Sequence, residues 1–256
     1  MSIIRDIQQT FRRLPGVELR STWRSQQAYK RHSHPQLSIG AILDGQTRCV
    51  CHQQEYLLQV GDLIVIPALT PHSCNPLAGQ PRSYHMLYLT QEICPQPEPT
   101  LQMIRNPQLC HQYQQIVALI ERGKTRELPA AIAHLLNALP GNGNHPSALR
   151  PLSQQLQAAL TDNLQSPPTL DALAYGFSLR KETLIRAFKQ DTGLTPGSFL
   201  NIARVEFAKS RLRAGETLAD VSYQSGFADQ SHFHRTFVNY TAATPRQYAR
   251  SISDNK

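Results

Sequence analysis

The chain has 256 residues, 40% of them hydrophobic, with 26 Lys and Arg against 18 Asp and Glu for a formal charge of +8. That is enough for one or two folded domains, and the basic excess favours an anionic partner. No apolar run approaches the roughly 20 residues of a membrane helix, and residues 1–16 lack the apolar core of a secretory signal, so no membrane partner is expected.

The charge is spread along the chain. Residues 1–150 hold 14 Lys and Arg against 9 Asp and Glu, and residues 151–256 hold 12 against 9. Function must therefore be read from spacing. The cysteines Cys49, Cys51, Cys74, Cys94 and Cys110 are odd in number and form no CxxC pair, which points to a reducing cytoplasm.

Residues 17–90 read as short strands. Gln36–Leu43 ends at an Asp44-Gly45 turn signal, Thr47–Cys51 and Glu55–Val60 follow, and Leu63–Ile66 runs from the Gly61-Asp62 turn to Pro67. A last strand spans Tyr84–Leu89. Short strands separated by Gly and Pro turns predict a small barrel or sandwich. Pro95 to Pro99 is extended by composition. Residues 107–122 and 127–138 carry apolar residues at helical spacing: Tyr113, Ile116, Val117 and Ile120, then Ile132, Leu135 and Leu136. Pro140-Gly141-Asn142-Gly143-Asn144-His145-Pro146 reads as the linker between domains.

Beyond Pro151 the sequence predicts helices only, and it states one pattern twice. Thr169-Leu170-Asp171-Ala172-Leu173-Ala174 opens a segment that ends Arg186-Ala187-Phe188. Thr217-Leu218-Ala219-Asp220-Val221-Ser222 opens another that ends Arg235-Thr236-Phe237. A helix over Ile202–Ala214, closed by Gly215, joins them. Two helix-turn-helix units in tandem suit two nearby stretches of major groove.

In each unit the second helix needs an apolar stripe for docking and a polar face for DNA. Leu184 with Phe188, and Phe233 with Phe237, supply the stripes. Glu182, Ile185 and Arg186 are left for the first groove, and Gln230, Ser231, His232, His234 and Arg235 for the second. Arg can fork onto guanine and Gln can pair with adenine. Lys181 and Lys189 suit phosphates, which position without specifying sequence.

These residues carry a specific resemblance. Leu184-x-Arg186-x-Phe188-Lys189, Thr192-Gly193-Leu194-Thr195-Pro196, Arg204-x-x-x-Ala208-x-x-x-Leu212, Gly226-Phe227-x-Asp229-Gln230-Ser231-His232-Phe233 and Thr244-Pro245-x-x-Tyr248 resemble the DNA-binding domain of the AraC/XylS family of bacterial transcription regulators. The resemblance covers about a third of the chain. It implies seven helices, with Arg186 and Arg235 facing the groove. Two positions depart from the family pattern: Ser178 stands where the first turn usually has Gly, and Arg180 where the first recognition helix usually begins with Ser.

Upstream, His32-Ser33-His34 and Gly61-x5-Pro67-x4-His72-x2-Asn75 resemble the two cupin motifs, and the family's sensor domain is a cupin-like barrel that holds a small effector. The expected lining is His32, His34, His72, Cys74, Tyr84 and His85. Cupin enzymes add a Glu to bind metal, and no Glu lies between His34 and Gly45. No cofactor or catalytic metal is therefore expected, although His32, His34 and His72 stay open as an alternative metal set. Cys49 and Cys51 share one strand face, where they serve either as buried filler or, with Cys74 and the histidines, as a soft-metal site.

The expected fold is thus two domains: an N-terminal all-β cupin-like barrel followed by amphipathic helices, and a C-terminal all-α domain with two helix-turn-helix units. The divisions are a sensing barrel over 1–100, a bracing or dimerising segment over 101–140, a linker over 141–150 and a DNA-binding domain over 151–256, its units near 169–190 and 217–240. The expected function is an effector-responsive transcription regulator, not an enzyme. Activation is the behaviour the resemblance implies. Its partners would be double-stranded promoter DNA, a small molecule, a second copy of the chain and, for an activator, RNA polymerase. The alternative is a cupin-type metalloenzyme, or a metal or thiol sensor, fused to a DNA-binding module.

Overall fold

The computed structural model describes residues 8–51, 54–94, 98–139 and 149–250. Among them the strands come first: β1 (Gln8–Leu14), β2 (Val17–Ser25), β3 (Leu37–Asp44), β4 (Thr47–Cys51), β5 (Gln54–Leu58), β6 (Leu63–Ile66), β7 (His72–Pro76), β8 (Arg82–Leu89) and β9 (Gln102–Ile104). The helices follow: α1 (Pro107–Glu121), α2 (Leu128–Ala138), α3 (Pro151–Asp162), α4 (Leu170–Gly176), α5 (Lys181–Thr192), α6 (Pro196–Arg213), α7 (Leu218–Gln224), α8 (Gln230–Thr241) and α9 (Pro245–Arg250).

The strands form a six-stranded sheet, ordered β1-β2-β8-β3-β6-β9, and a three-stranded sheet, ordered β5-β4-β7. The cupin-like β domain is present, with one correction to the barrel expectation. The two sheets are not hydrogen-bonded into a closed cylinder; among the described residues an isolated bridge from His32 to His72 links the segment before β3 to β7. Pro71 and Pro76 bound the β7 ladder, and proline offers no N–H to extend it.

Alternation along the strands gives the large sheet two different faces. One carries Leu19, Leu37, Ile39, Leu63, Val65, Leu87 and Leu89, and α1 and α2 cover it with Leu109, Tyr113, Ile116, Ile132 and Leu135. The Tyr113 hydroxyl donates to the Ile39 carbonyl at 3.0 Å. These helices therefore brace the sheet. On the other face Glu18, Arg20 and Thr22 of β2 pair with Tyr88, Met86 and Tyr84 of β8, and this face turns toward the small sheet. There Ile42, Cys49, Cys51, Leu58, Ile64, Ile66 and Cys74 form a second core.

Cys49 stands directly opposite Cys74 in the β4–β7 register, and their sulfurs are disulfide-bonded. The pairing removes Cys49 and Cys74 from the soft-metal alternative, because a disulfide offers no thiolate, and leaves both as buried core residues. Spacing along the chain cannot show which strand lies opposite, and the His72–Pro76 run has no predicted ends of its own. Cys51 faces His72 across the same pair of strands and stays a free, buried thiol.

The C-terminal region holds seven helices among the described residues, α3 to α9, as the resemblance implies. Leu156, Leu160, Leu173, Leu184 and Phe188 close one three-helix core. Val205, Leu212, Val221, Phe233, Phe237 and Tyr248 close the other. The long α6 begins earlier than the periodicity suggests, because Thr195 Oγ1 accepts from the Ser198 N–H at 3.2 Å and Pro196 occupies the first turn. The expected Pro140–Pro146 linker and Pro95–Pro97 lie outside the described residues.

Candidate functional site

The two helix-turn-helix units are α4 with α5 and α7 with α8. In α5 Leu184 and Phe188 are fully buried, while Glu182, Arg186 and Lys189 are exposed and Lys181 and Ile185 half-buried. Glu182, Ile185, Arg186 and Lys189 line one shallow groove with Gln190, so a single continuous face carries them. Arg180 is exposed at the N-cap position and makes no capping bond. Lys181 pairs with Asp171 of α4 at 2.9 Å.

In α8 Phe233 and Phe237 are buried, and Gln230, Ser231, His234 and Arg235 are exposed. His232 is half-buried with its ring edge-on to Phe227 at 5.3 Å, so packing holds part of its surface. Asp229 caps this helix by accepting from the His232 N–H at 2.6 Å. The turns differ as their residues require. Ser178 adopts φ 52° where the second unit has Gly226 at φ 75°. A Cβ on Gly226 would also lie 2.1 Å from the Leu164 carbonyl oxygen, so that position admits glycine alone.

The second site is a cavity between the domains. The β domain contributes Arg20, Tyr29, His32, His34, His72, Cys74, Arg82, Tyr84 and Tyr88; the helical domain contributes Ile202, Val205, Lys209, Tyr240, Thr241 and Tyr248. Of the expected lining residues, His32, His34, His72, Cys74 and Tyr84 meet here. His85 borders the cavity, but its ring points elsewhere: Nδ1 lies 2.8 Å from Ser21 Oγ and the ring sits edge-on to Trp23. Neighbours on a strand face opposite sides, so Tyr84 and His85 cannot both enter one pocket.

The three inner histidines share one arrangement. Nδ1 of His32, His34 and His72 lies 2.9, 2.9 and 2.8 Å from the carbonyl oxygens of Lys30, Gln36 and Thr70. A carbonyl only accepts, so each Nδ1 carries its proton and each Nε2 keeps a free lone pair. Their ligand nitrogens lie within 4.8 Å of one another. Burial, reinforced by the neighbouring rings, lowers His32 and His72 to about 3 and holds His34 well below its ordinary value. All three are therefore neutral near pH 7.

Around them the wall is cationic and phenolic. Arg20 is buried, donating to the Thr241 carbonyl at 2.6 Å and to Gln9 Oε1 at 2.8 Å. The Tyr29 and Tyr84 hydroxyls hydrogen-bond to each other. Burial raises the Tyr84 hydroxyl, but Arg20 and Arg82 outweigh it and bring it below its ordinary value. Spacing did not reveal Arg20, Tyr29, Arg82, Tyr88 or Lys209. The signal that reaches Arg20 is strand alternation over residues 17–25, which places Glu18, Arg20 and Thr22 on one face. Nothing local marks Lys209, which arrives from α6.

The domains meet through the β1–β2 hairpin. Phe11 is buried in the α6–α9 core, edge-on to Tyr248 at 5.1 Å. Glu18 accepts from Arg13 at 2.6 Å, from Arg213 at 3.1 Å and from the Tyr248 hydroxyl at 3.2 Å. Burial pushes the Glu18 carboxyl up, but Arg13, Arg213 and Lys209 outweigh it and hold it at about 2.

A β domain and two helix-turn-helix units that together wall a cavity define a ligand-binding, DNA-binding transcription regulator. The chain belongs to the AraC-like family: the AraC-like ligand binding domain matches residues 14–175, and a helix-turn-helix domain matches residues 173–251. It is 26% identical over 224 residues to the HTH-type transcriptional regulator YbfI of Bacillus subtilis, covering 80% of this chain and 82% of that protein. It is 27% identical over 248 residues to the HTH-type transcriptional activator RhaS of Citrobacter koseri, covering 86% and 87%. Its fold is similar to that of Vibrio cholerae ToxT, with a TM-score of 0.60 at 13% identity to the structure of an apo variant, covering 93% of this chain and 98% of that one. The unsaturated fatty acid-bound ToxT structure matches with a TM-score of 0.57 at 14% identity, covering 96% and 97%.

Proposed function

We propose that this chain is a homodimeric, cytoplasmic activator of transcription whose small-molecule effector occupies the inter-domain cavity. One observation carries the reading: the cavity wall is shared by the sensor strands and by α6, α8 and α9 of the DNA-binding region. A ligand there touches both halves, and so has the differential contacts needed to shift one arrangement against another. The RhaS relatives are activators by name. No described helix is long and apolar enough to cross a membrane. The apolar faces of α1 and α2 are spent on the sheet, which leaves their outer faces for pairing two copies. As an activator the dimer would engage promoter DNA and RNA polymerase, and no catalytic step is assigned to it.

Arg186 and Arg235 are the base-reading residues in this account, with Arg180, Lys181 and Lys189 on phosphates. Anisotropy titrations with a fragment of the upstream promoter test it. Arg186→Ala and Arg235→Ala should each cost about 1–3 kcal/mol and blur preference at one base position. Wild-type affinity should fall with a log–log salt slope near −0.9 per phosphate contact. Normal binding by both variants would refute the groove assignment. Replacing His34 or Tyr84 should alter effector response and leave this titration unchanged.

One observation favours a second reading, in which the effector is a metal ion. Three imidazole ligand nitrogens lie within 4.8 Å of one another, and each Nδ1 is tied to a carbonyl, the second-sphere bond that metal-binding histidines commonly make. His32, His34 and His72 would hold a divalent cation such as Zn²⁺ as a sensed ligand. No carboxylate joins them in that cluster among the described residues, which separates it from the cupin enzyme set. Stoichiometric Zn²⁺ bound by the wild type and lost in His72→Ala would establish this reading, and titration without binding would end it.

A further inference from the structure

Among the described residues, two buried guanidinium groups in the cavity have no carboxylate to answer their charge. Arg82 is 2% exposed and Arg20 is 4% exposed. Among the described residues neither has an ion-pair partner, because Arg13 and Arg213 take Glu18 and Lys209 takes Glu206. The donors of Arg20 are occupied by neutral acceptors, Thr22, Gln9 and the Thr241 and Ala242 carbonyls. Arg82 is less satisfied: one terminal nitrogen donates to Thr47 Oγ1 at 3.0 Å, while Nε is buried with no hydrogen-bond partner among the described residues. Both cations lie against the Tyr84 ring, at 5.8 Å for Arg20 and 4.8 Å for Arg82.

A buried cation without a counter-ion is costly, and so is a buried N–H without an acceptor. Both costs are removed by one ligand group, an anion with two oxygens matched to the guanidinium fork. We propose that the effector carries an oxyanion, a carboxylate or a phosphate, held by Arg82 with Arg20 as the second cation. This rests on reading the cavity as the effector site. Arg20 also holds the carbonyls of Thr241 and Ala242 at the end of α8. An anion that draws Arg20 therefore acts on the second recognition helix directly.

Thermal unfolding of the full chain at fixed ionic strength tests the proposal, with three probe classes: aliphatic mono- and dicarboxylates, sugar phosphates and neutral monosaccharides. A member of one anionic class should raise Tm by about 3–6 °C at ten times its Kd, and the responding class separates carboxylate from phosphate. The shift should vanish in Arg82→Gln and return in part in Arg82→Lys. Without ligand, Arg82→Gln should melt no lower than the wild type, since it removes an unanswered charge. Stabilisation by a monosaccharide alone, kept in Arg82→Gln but lost in the cavity-filling Met86→Phe, would overturn the oxyanion and leave the cavity reading standing. An anion shift kept in both variants would overturn both. No shift with any class, together with a lower-melting Arg82→Gln, would make Arg82 a structural group and end the proposal.

Discussion

Glu18 is a single carboxylate on which two domains depend. Glu18→Gln keeps the shape but leaves Arg13 and Arg213 facing a neutral amide, a loss of about 2 kcal/mol for a hydrogen-bonded buried ion. Because the folded carboxyl sits at about 2 against an ordinary 4.5, the unfolded chain binds its proton first as pH falls. Its stabilising contribution is complete above pH 4.5 and is lost as pH drops toward 2. Melting curves should show wild-type Tm falling through that window and Glu18→Gln falling less steeply. The histidines act earlier. His32 and His72 titrate at about 3 in the fold against an ordinary 6.5, so the unfolded chain gains protons that the folded chain refuses. Stability should begin to decline below pH 6.5, and His72→Gln should flatten part of that decline. An unchanged pH profile would mean that His72 is protonated in the folded protein.

The two helix-turn-helix units differ in how well each is built. The first turn holds Ser178 at φ 52° and the first recognition helix has an uncapped start at Arg180, whereas the second has Gly226 and an Asp229 cap. The same chain therefore indicates how to repair itself. Ser178→Gly should stabilise by about 0.5–1 kcal/mol by relieving the left-handed backbone, and Arg180→Asp should add a similar amount through a capping bond. The reverse change, Gly226→Ser, should cost about 2 kcal/mol or more, since its Cβ meets the Leu164 carbonyl. Urea denaturation of the three variants checks the order. Strands β3 to β6 and β8 lie within two residues of their sequence-predicted ends, because each has a Gly, Asp or Pro close to at least one of its ends. The strands β1, β2, β7 and β9 have no predicted ends: β1 is rich in Gln and Arg, β2 breaks its apolar positions with Arg20 and Arg24, β7 is a short polar run between Pro71 and Pro76, and β9 has three residues.

At the scale of the molecule the hairpin of β1 and β2 fastens sensor to reader. Phe11 fills a place in a core otherwise made of α6 to α9. Phe11→Ala should therefore cost about 3 kcal/mol and divide one cooperative melting transition into two. Calorimetry reads this directly; a single transition in the variant would mean that the remaining polar contacts are sufficient to join the halves. Intrinsic DNA affinity should persist in Phe11→Ala while its dependence on effector weakens, because the coupling element and not the groove face is damaged.

The helix-turn-helix pair, its exposed arginines and the two amphipathic helices follow from local spacing, since helix period, strand alternation and turn chemistry act over fewer than about ten residues; the inner histidines enter through the resemblance to the cupin motifs. The histidine site needs only two near neighbours in the segment before β3 and a return of the chain that bridges His72 to His32. The rest depends on what packing brings together. Cys49 meets Cys74 because β7 pairs with β4, His85 turns away because Tyr84 turns in, and the cavity takes Lys209, Thr241 and Tyr248 from the far end of the chain. Residues separated by some two hundred positions share a wall only after both domains have folded and docked, and no local preference records which one will face Arg20.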